Sequence, residues 1–445
     1  MNSQQSLKVG RVATNVTPRN SQFLFGYPHV ERMSEGVHDP LLATALYLAQ
    51  EDRQALFVSV DVIFLSKTHV TQIREAVFAQ TGVPPQSIMI SATHTHSGPV
   101  TVSLVSCNAD PIVPPPDPDY VRFLIEQTVA ACVCATGNAV EAEIAVTAPI
   151  VSGIGTNRHD PHGPSIPQVP MLFARSAIDR SLLCVMCTCS MHPTVLHEDS
   201  RLISGDFFGC ARQSIQKSFG EELAVLVQMG AAGNQSPRHV VTSNTLAEAK
   251  RLGDLLAEAI RGALEKAEFS GDWPISCDQC QIELPRREFP SLADALAQEK
   301  FASERFEMLR NSSTDKAAIR TAECDWFGAQ ETVTLARIQD KGFLESAVTA
   351  CLPAEIQIIS IGPWSWIAWP CEMFAEFAIL IGEQFPRTSV VTLANGELQG
   401  YLVTQDAIQR KTYEAMNSVF ESPVSAELLV AKTSDMLARR RAAER

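Results

Sequence analysis

Through about residue 240 the chain repeats one device: a short apolar run ends in a polar or glycine-containing turn, and the histidines sit in those turns. Apolar runs of strand length bounded by turn residues read as buried strands, and strands alternating with helical stretches give an α/β fold with its chemistry at strand ends. Ala55 to Val62 reads as such a strand, closing on Asp61. Ser66 is placed to cap a helix running to about Gln80, and Ser87 to Ser91 reads as the next strand. The run Thr93-His94-Thr95-His96-Ser97-Gly98-Pro99 follows at once.

Further along, Tyr120 to Ala135 reads helical, while Glu143 to Val151, Leu182 to Met191 and Leu223 to Met229 read as strands. The last ends in Gly230-Ala231-Ala232-Gly233-Asn234-Gln235-Ser236-Pro237-Arg238, and Leu246 to Ala267 forms an amphipathic helix. Asn108 to Asp119 carries Pro111, Pro114, Pro115, Pro116 and Pro118, too few donors for an inner strand and enough length for a lid or an inert rim. A charged helical segment over about 290–325 has spaced apolar residues and reads as an excursion packed on the main body. Glu355 to Ile361 returns as a strand, and a helical tail covers about 405–445. No repeat or heptad array divides residues 1–445, which are read as one domain.

With 445 residues, 45% hydrophobic and 19% charged, the chain has the material for a sizeable core. A formal net charge of −14 argues against a nucleic-acid or anionic-membrane binder, since either polyanion would be repelled by the average field. The basic run Arg439-Arg440-Arg441 reads as a solvated helix end. Met1 to Gly10 lacks the apolar centre of a signal peptide, and no stretch reaches the roughly 18 apolar residues of a membrane span, so a cytoplasmic protein is expected. Most of the twelve cysteines sit in apolar surroundings and are read as reduced. The two CxxC pairs, Cys184-Cys187 and Cys277-Cys280, are too far apart for a zinc ribbon, and the first lies in a strand whose side chains alternate faces.

Catalytic zinc needs a few neutral imidazoles or carboxylates on rigid backbone with a position left open. His94 and His96, at i and i+2 on an extended segment, point to one face and can serve one site. A second cluster, His192-Pro193-Thr194 with His197, stands just after another buried strand, so two strand ends can converge. Asp206, in Ser204-Gly205-Asp206-Phe207-Phe208-Gly209, reads as a helix cap rather than a support for a ligand histidine. Neither a GxGxxG motif, a P-loop ending nor a GxSxG elbow occurs.

In order along the chain, these motifs resemble the catalytic domain of the neutral/alkaline ceramidase family. Thr93 to Pro99 is similar to its THTHSGP, Asn157-Arg158 to its NR, and Met191-His192-Pro193-Thr194 to its HPT. Gly233 to Arg238 resembles GDxSPN, Pro370-Cys371-Glu372-Met373-Phe374 resembles PGE with its following residues, Asn395 to Thr404 resembles NxYxxYxTT, and Tyr413-Glu414-Ala415 resembles YEA. The resemblance implies an α/β fold, a mixed β-sheet core with flanking helices and the metal site at strand ends. It implies Zn²⁺ held by His94, His192, Glu372 and Tyr401, with His96, Arg158 and Ser236 facing the substrate and Asn157, Asn234 and Arg238 beside it.

Each residue also has a plainer reading. Glu372 opens an apparently helical stretch, Glu372 to Ile381, where a first-turn carboxylate favours the helix dipole. Tyr401 reads equally as a buried tyrosine with one hydrogen bond, Arg158 as a loop ion pair, and Ser236 as a helix cap. Two departures stand out: Asn234 replaces the family's acidic residue and Arg238 its asparagine, which makes the field beside Ser236 more positive and suits an anionic substrate group. The chain lacks the family's further C-terminal domain and secretory signal, so a small soluble amide is the expected substrate rather than ceramide. Hydrolysis of an N-acyl or lactam-like bond is the leading expectation, with an esterase or lactonase, true ceramide hydrolysis and a non-catalytic binder as the alternatives.

Overall fold

The structure, a computed structural model, describes residues 6–27, 30–107, 112–342 and 344–443. Its larger sheet has eight strands in the order Ala224–Met229, Leu182–Cys189, Met171–Ser176, Val140–Thr147, Lys8–Asn15, Leu42–Gln50, Arg53–Val60 and Ile88–Ala92. Neighbours are antiparallel except at the two ends, where Leu182–Cys189 runs parallel to Ala224–Met229 and Arg53–Val60 parallel to Ile88–Ala92. A second sheet of four strands runs Ile275–Ile282, Ala354–Ile361, Trp364–Trp369, Thr388–Thr392, its last pair parallel. The mixed α/β core expected from the sequence is what forms.

The two sheets pack face to face, with Leu46, Phe57, Met186 and Leu226 of the first against Ile359, Trp366 and Val391 of the second. Phe57 and Trp366 meet edge to face at 5.6 Å between ring centres. The helices Lys67–Thr81 and Pro118–Gly137 cover one half of the large sheet's other face, and Asp206–Phe219 with Leu246–Leu264 cover the other half. Lys316–Asp340, Ala375–Gln384 and Val424–Ala443 close the far side of the small sheet. Helices on both outer faces leave both sheets buried, which is why so many strands read as unbroken apolar runs instead of alternating ones.

Period-two geometry settles the cysteines. In Leu182–Cys189, Val185, Cys187 and Cys189 face the helices while Cys184 and Met186 face the second sheet. Cys184 and Cys187 therefore point apart, and no disulfide forms among the described residues. Ser66 caps its helix as expected, its side chain accepting from His69 N at 3.1 Å, a contact worth about 1 kcal/mol.

Several boundaries differ from the sequence reading. The strand expected over Glu143 to Val151 ends at Thr147, just before Pro149, which has no N–H for a ladder. The helical segment does not stop near 325: Lys316–Asp340 is a single helix, followed by Leu344–Cys351. The basic C-terminal run is docked, not solvated, since Arg440 donates to Gly362 O at 2.7 Å and Arg441 lies 4.7 Å over the Phe385 ring. Residues 108–111 of the proline-rich loop lie outside the described residues, and residues 112–117 line neither of the cavities described below. No helix among the described residues is long and apolar enough to cross a membrane.

Candidate metal centre

The site forms where strands of both sheets end. The large sheet bends so that its two ends approach, with Ser59 Oγ donating to Val227 O at 2.6 Å. His94 follows Ile88–Ala92, His192 follows Leu182–Cys189, and Glu372 follows Trp364–Trp369. Nε2 of His94 and Nε2 of His192 each lie 3.1 Å from Glu372 Oε2, and His96 Nε2 lies 3.2 Å from His94 Nε2. The ligand atoms of His94, His96 and His192 all fall within 4.8 Å of one another. Three imidazoles, not two, thus offer nitrogen to one point; the family resemblance sets His96 on the substrate side, and the geometry also places it within the ligand group.

Backbone geometry achieves this at some cost. His94 has φ of +65°, a left-handed conformation costing a non-glycine residue about 1 kcal/mol or more, so the His-Thr-His segment converges through a turn instead of the extended geometry expected. His94 N donates to Val62 O at 3.0 Å and its Nδ1 faces Ile63 O at 3.1 Å. His192 is held by the glycine-containing loop: its Nδ1 faces Ala232 O at 2.7 Å and Gln235 O at 3.1 Å. That loop is fixed in turn to the Glu372 segment, Gly233 N donating to Met373 O at 2.8 Å. A side chain at Gly233 would place Cβ 2.9 Å from Met373 backbone, so only glycine allows the approach.

These contacts test whether a cation fits. A nitrogen facing a carbonyl must carry the proton, so Nδ1 is the protonated nitrogen of His94 and of His192. Both Nε2 lone pairs are then aimed at one carboxylate oxygen, a repulsive arrangement that a shared cation resolves. The donor set, imidazole nitrogens with a carboxylate, is that of catalytic zinc sites. Burial, then the neighbouring His94 and His192, hold His96 neutral with a pKa well below the usual imidazole value. Burial lowers His192 to about 4 despite Glu372 beside it.

Glu372 is not in a helix. It occupies a two-residue strand, Glu372–Met373, paired in parallel with Tyr401–Leu402, and the helix begins at Ala375. The pairing sets Glu372 opposite Tyr401, whose ring is 5% exposed. Burial and the charge of Glu372 push the Tyr401 phenol well above its usual pKa.

A cavity of about 430 Å³ opens over the group, lined by His96, His192, Ser236, Tyr401, Arg158 and Arg238 among others. A smaller space of about 50 Å³ lies between the histidines and Phe25, Phe64 and Leu104. Arg158 sits with its guanidinium 5.6 Å over the Tyr401 ring and is held from behind by Glu414, to which its Nε donates at 2.6 Å. His159 joins the same carboxylate at 2.9 Å. Ser236 Oγ accepts from Arg238 N at 3.3 Å, the cap of a short 3-10 turn.

Two residues expected beside the substrate are turned elsewhere. Asn157 spends its side chain on its own loop, Oδ1 accepting from His159 N at 3.0 Å and Nδ2 donating to Pro164 O at 3.0 Å. Asn234 anchors the helix Ala375–Gln384: Oδ1 accepts from Ala375 N at 2.9 Å while Nδ2 donates to Glu376 Oε2 at 2.8 Å. An aspartate could not make the second bond, so the departure at 234 reflects this helix start and not the field beside Ser236. Asp206 accepts from Phe207 N at 2.6 Å and from Leu196 N at 2.9 Å, tying its helix to the loop after His192 without touching a ligand histidine. Sequence reasoning missed Glu414 as the anchor of Arg158, although the Tyr-Glu-Ala motif marked it, and, while it expected helix over about 290–325, missed that Arg320, Thr321 and Cys324 there form a cavity wall.

Neither a protein-family model nor a curated protein matches the chain. Solved structures do. A neutral ceramidase from Pseudomonas aeruginosa superposes with a TM-score of 0.76 at 17% identity, over 98% of this chain and 74% of that one. A ceramidase complexed with C2 gives a TM-score of 0.77 at 15% identity, over 98% and 76%. With nearly every residue of this chain aligned and the histidine-bearing strand ends converging on one point, the chain has the neutral ceramidase fold.

Proposed function

We propose that the protein is a zinc-dependent hydrolase that cleaves the amide bond of a small, water-soluble substrate. The observation that carries the reading is the pair of imidazole lone pairs, from His94 and His192, aimed at one oxygen of Glu372, with His192 and His96 lining the cavity. An amide is favoured because the structural neighbours are ceramidases, and a volume of about 430 Å³ lies in the lower part of the range, about 300–1,000 Å³, of small-molecule sites.

His94, His192 and Glu372 would hold the ion, with His96 in reach and Tyr401 at the edge of the set. Zn²⁺ there supplies Lewis-acid activation of the amide carbonyl and of water. Tyr401, kept protonated by burial, donates a hydrogen bond to the developing oxyanion. Arg158, its charge fixed by Glu414, holds Tyr401 in place from the side of its ring. Neutral His96 has a buried Nδ1 without a hydrogen-bond partner among the described residues and is the group suited to passing a proton to the leaving nitrogen. Ser236 orients the substrate: its Oγ is engaged by Arg238 N, and no histidine lies within hydrogen-bonding distance among the described residues.

The test is metal content followed by activity. Purified protein should carry about one zinc per chain, lost in a His94→Ala, His192→Ala double variant. A panel of N-acyl amino acids, lactams, esters and short-chain ceramides is then assayed with and without a chelator. Retention of zinc by the double variant, or turnover indifferent to chelation, would refute the mechanism; ester or long-chain ceramide as best substrate would refute the assigned bond or substrate size.

A further inference from the structure

Among the described residues, the arginines lining the cavity other than Arg238 are paired with carboxylates. Arg158 is held by Glu414, and Arg320 by Glu198 at 3.2 Å and Glu323 at 2.7 Å. Arg238 is different. Its guanidinium has three contacts, all neutral: Nη1 donates to Thr321 Oγ1 at 3.0 Å and to Arg158 O at 3.3 Å, and Nη2 to Cys324 Sγ at 3.7 Å. Among the described residues no carboxylate comes within ion-pair distance of it.

A guanidinium carries five N–H donors in a planar fork. Among the described residues the Nε side and one Nη2 direction have no oxygen acceptor, while the neutral contacts to Nη1 hold the group at the cavity wall. A half-buried cation without a counter-charge is costly, and an anion entering the cavity relieves that cost. Burial also lowers the pKa of Arg238 below the ordinary arginine value, the mark of a charge still short of a partner. The fork matches a carboxylate, which it can take with two parallel hydrogen bonds.

Position sets the size of the ligand. His192 N donates to Gln235 O at 3.2 Å, and Arg238 is three residues further along the same loop. At most about 11 Å of extended backbone spans those three residues, and both His192 and Arg238 line the one cavity of about 430 Å³, so a scissile carbonyl at the histidines and an anion at Arg238 belong to one compact molecule.

We propose that Arg238 binds a carboxylate of the substrate, so that the amide cleaved belongs to an N-acylated amino acid. This rests on the hydrolase reading above. In the reaction the C–N bond breaks, water delivers its hydroxyl to the acyl carbon and its proton to nitrogen, and a carboxylic acid and a free amino acid leave. Arg238 takes no part in that exchange and acts by holding the carboxylate that does not react.

The test compares acids with their neutral amides. N-Hexanoylglycine and N-hexanoylglycinamide are assayed with the zinc-loaded protein and with Arg238→Met. The acid should be preferred by roughly tenfold to a hundredfold in kcat/KM, mainly through KM, and the preference should fall to within about threefold in the variant. Binding is measured separately by calorimetry with 4-oxononanoic acid and 4-oxononanamide, in which a methylene replaces the scissile amide nitrogen and leaves no C–N bond at that carbonyl to cleave. If the acid binds better and Arg238→Met abolishes the difference, the carboxylate site stands even when no amide is turned over, and only the hydrolase reading falls. If the wild-type protein binds acid and neutral amide equally, the site is refuted even when both N-hexanoyl compounds are hydrolysed. The wild-type comparison alone decides the matter should the variant fail to fold.

Discussion

Replacing Glu414 with glutamine should unmask the charge of Arg158. Glu414 is 1% exposed, accepts from Arg158 Nε at 2.6 Å and from His159 Nε2 at 2.9 Å, and is the only carboxylate paired with Arg158 among the described residues. Glu414→Gln keeps the shape and removes the charge, leaving a guanidinium that is 8% exposed without a counter-ion. Breaking a buried pair from one side costs about 3–5 kcal/mol. At about 2.1 cal/mol/K of unfolding entropy per residue, a chain of 445 residues loses roughly 1 °C of Tm per kcal/mol, so the expected drop is about 3–5 °C. Calorimetric melting at pH 7 reads it directly. The double variant Arg158→Met, Glu414→Gln, which also removes the stranded cation, should recover at least half. The pH dependence gives a second check: burial raises the Glu414 pKa, but Arg158 and His159 hold it well below the usual carboxylate range. A depressed folded pKa gives stability that is present above the unfolded value, about 4.3, and is lost as pH falls below it, so wild type and Glu414→Gln should converge in strong acid. A Tm within about 1 °C of wild type at pH 7, or a double variant no better than the single, would refute this account of the pair.

Glu397 is pushed up to about 8 by burial, against a hydrogen bond from Gly400 N and with Glu372 adding to the rise. A raised carboxyl pKa means that stability falls as pH climbs from the unfolded value, about 4.3, to about 8, so Glu397→Gln should gain on wild type across that window by up to about 5 kcal/mol; parallel pH–stability curves in urea would contradict it. Asn234→Asp sets a second carboxylate 2.8 Å from Glu376 Oε2 and should cost about 1–3 kcal/mol at pH 7, less below pH 4; equal Tm values at pH 7 would show that the contact is immaterial. A Cβ at Gly26, where φ is +123°, would lie 2.5 Å from the His96 ring. Gly26→Ala should therefore weaken zinc binding by about tenfold to a hundredfold in competition with a chromophoric chelator, and unchanged affinity would remove His96 from the ligand group.

Legibility of the fold followed from burial. Most strands of both sheets are covered on both faces, so strands such as Arg53–Val60 and Ala224–Met229 carry unbroken apolar stretches and are easy to find in the sequence. The histidines could be placed at strand ends for the same reason. Glu372 was harder: a carboxylate just ahead of an apolar helix looks like a first-turn residue, and only pairing with Tyr401, far along the chain, holds it in a strand. Asn157 and Asn234 show the converse problem. Each stands in a motif around the cavity, yet a short amide that finds a backbone N–H nearby turns to it, and one-dimensional spacing does not tell which way it turns. The helix Lys316–Asp340 hid its role because helical periodicity reveals the face that packs and is silent on Arg320, Thr321 and Cys324, which look into the cavity.

The distance along the chain between the ligand groups has a bearing on how the protein is made. His192 and Glu372 are 180 residues apart, and the strand carrying Glu372 belongs to a different sheet from those that carry the histidines. At about 5–20 residues per second, a ribosome exposes the imidazoles on the order of ten seconds or more before the carboxylate emerges. Until then the nascent chain has at most the imidazoles carried by the large sheet, without the carboxylate and without the small sheet that shields them. On the proposed reading, full coordination is therefore an event of the finished chain, and a metal taken up at that moment would fasten the last third of the protein onto the first two.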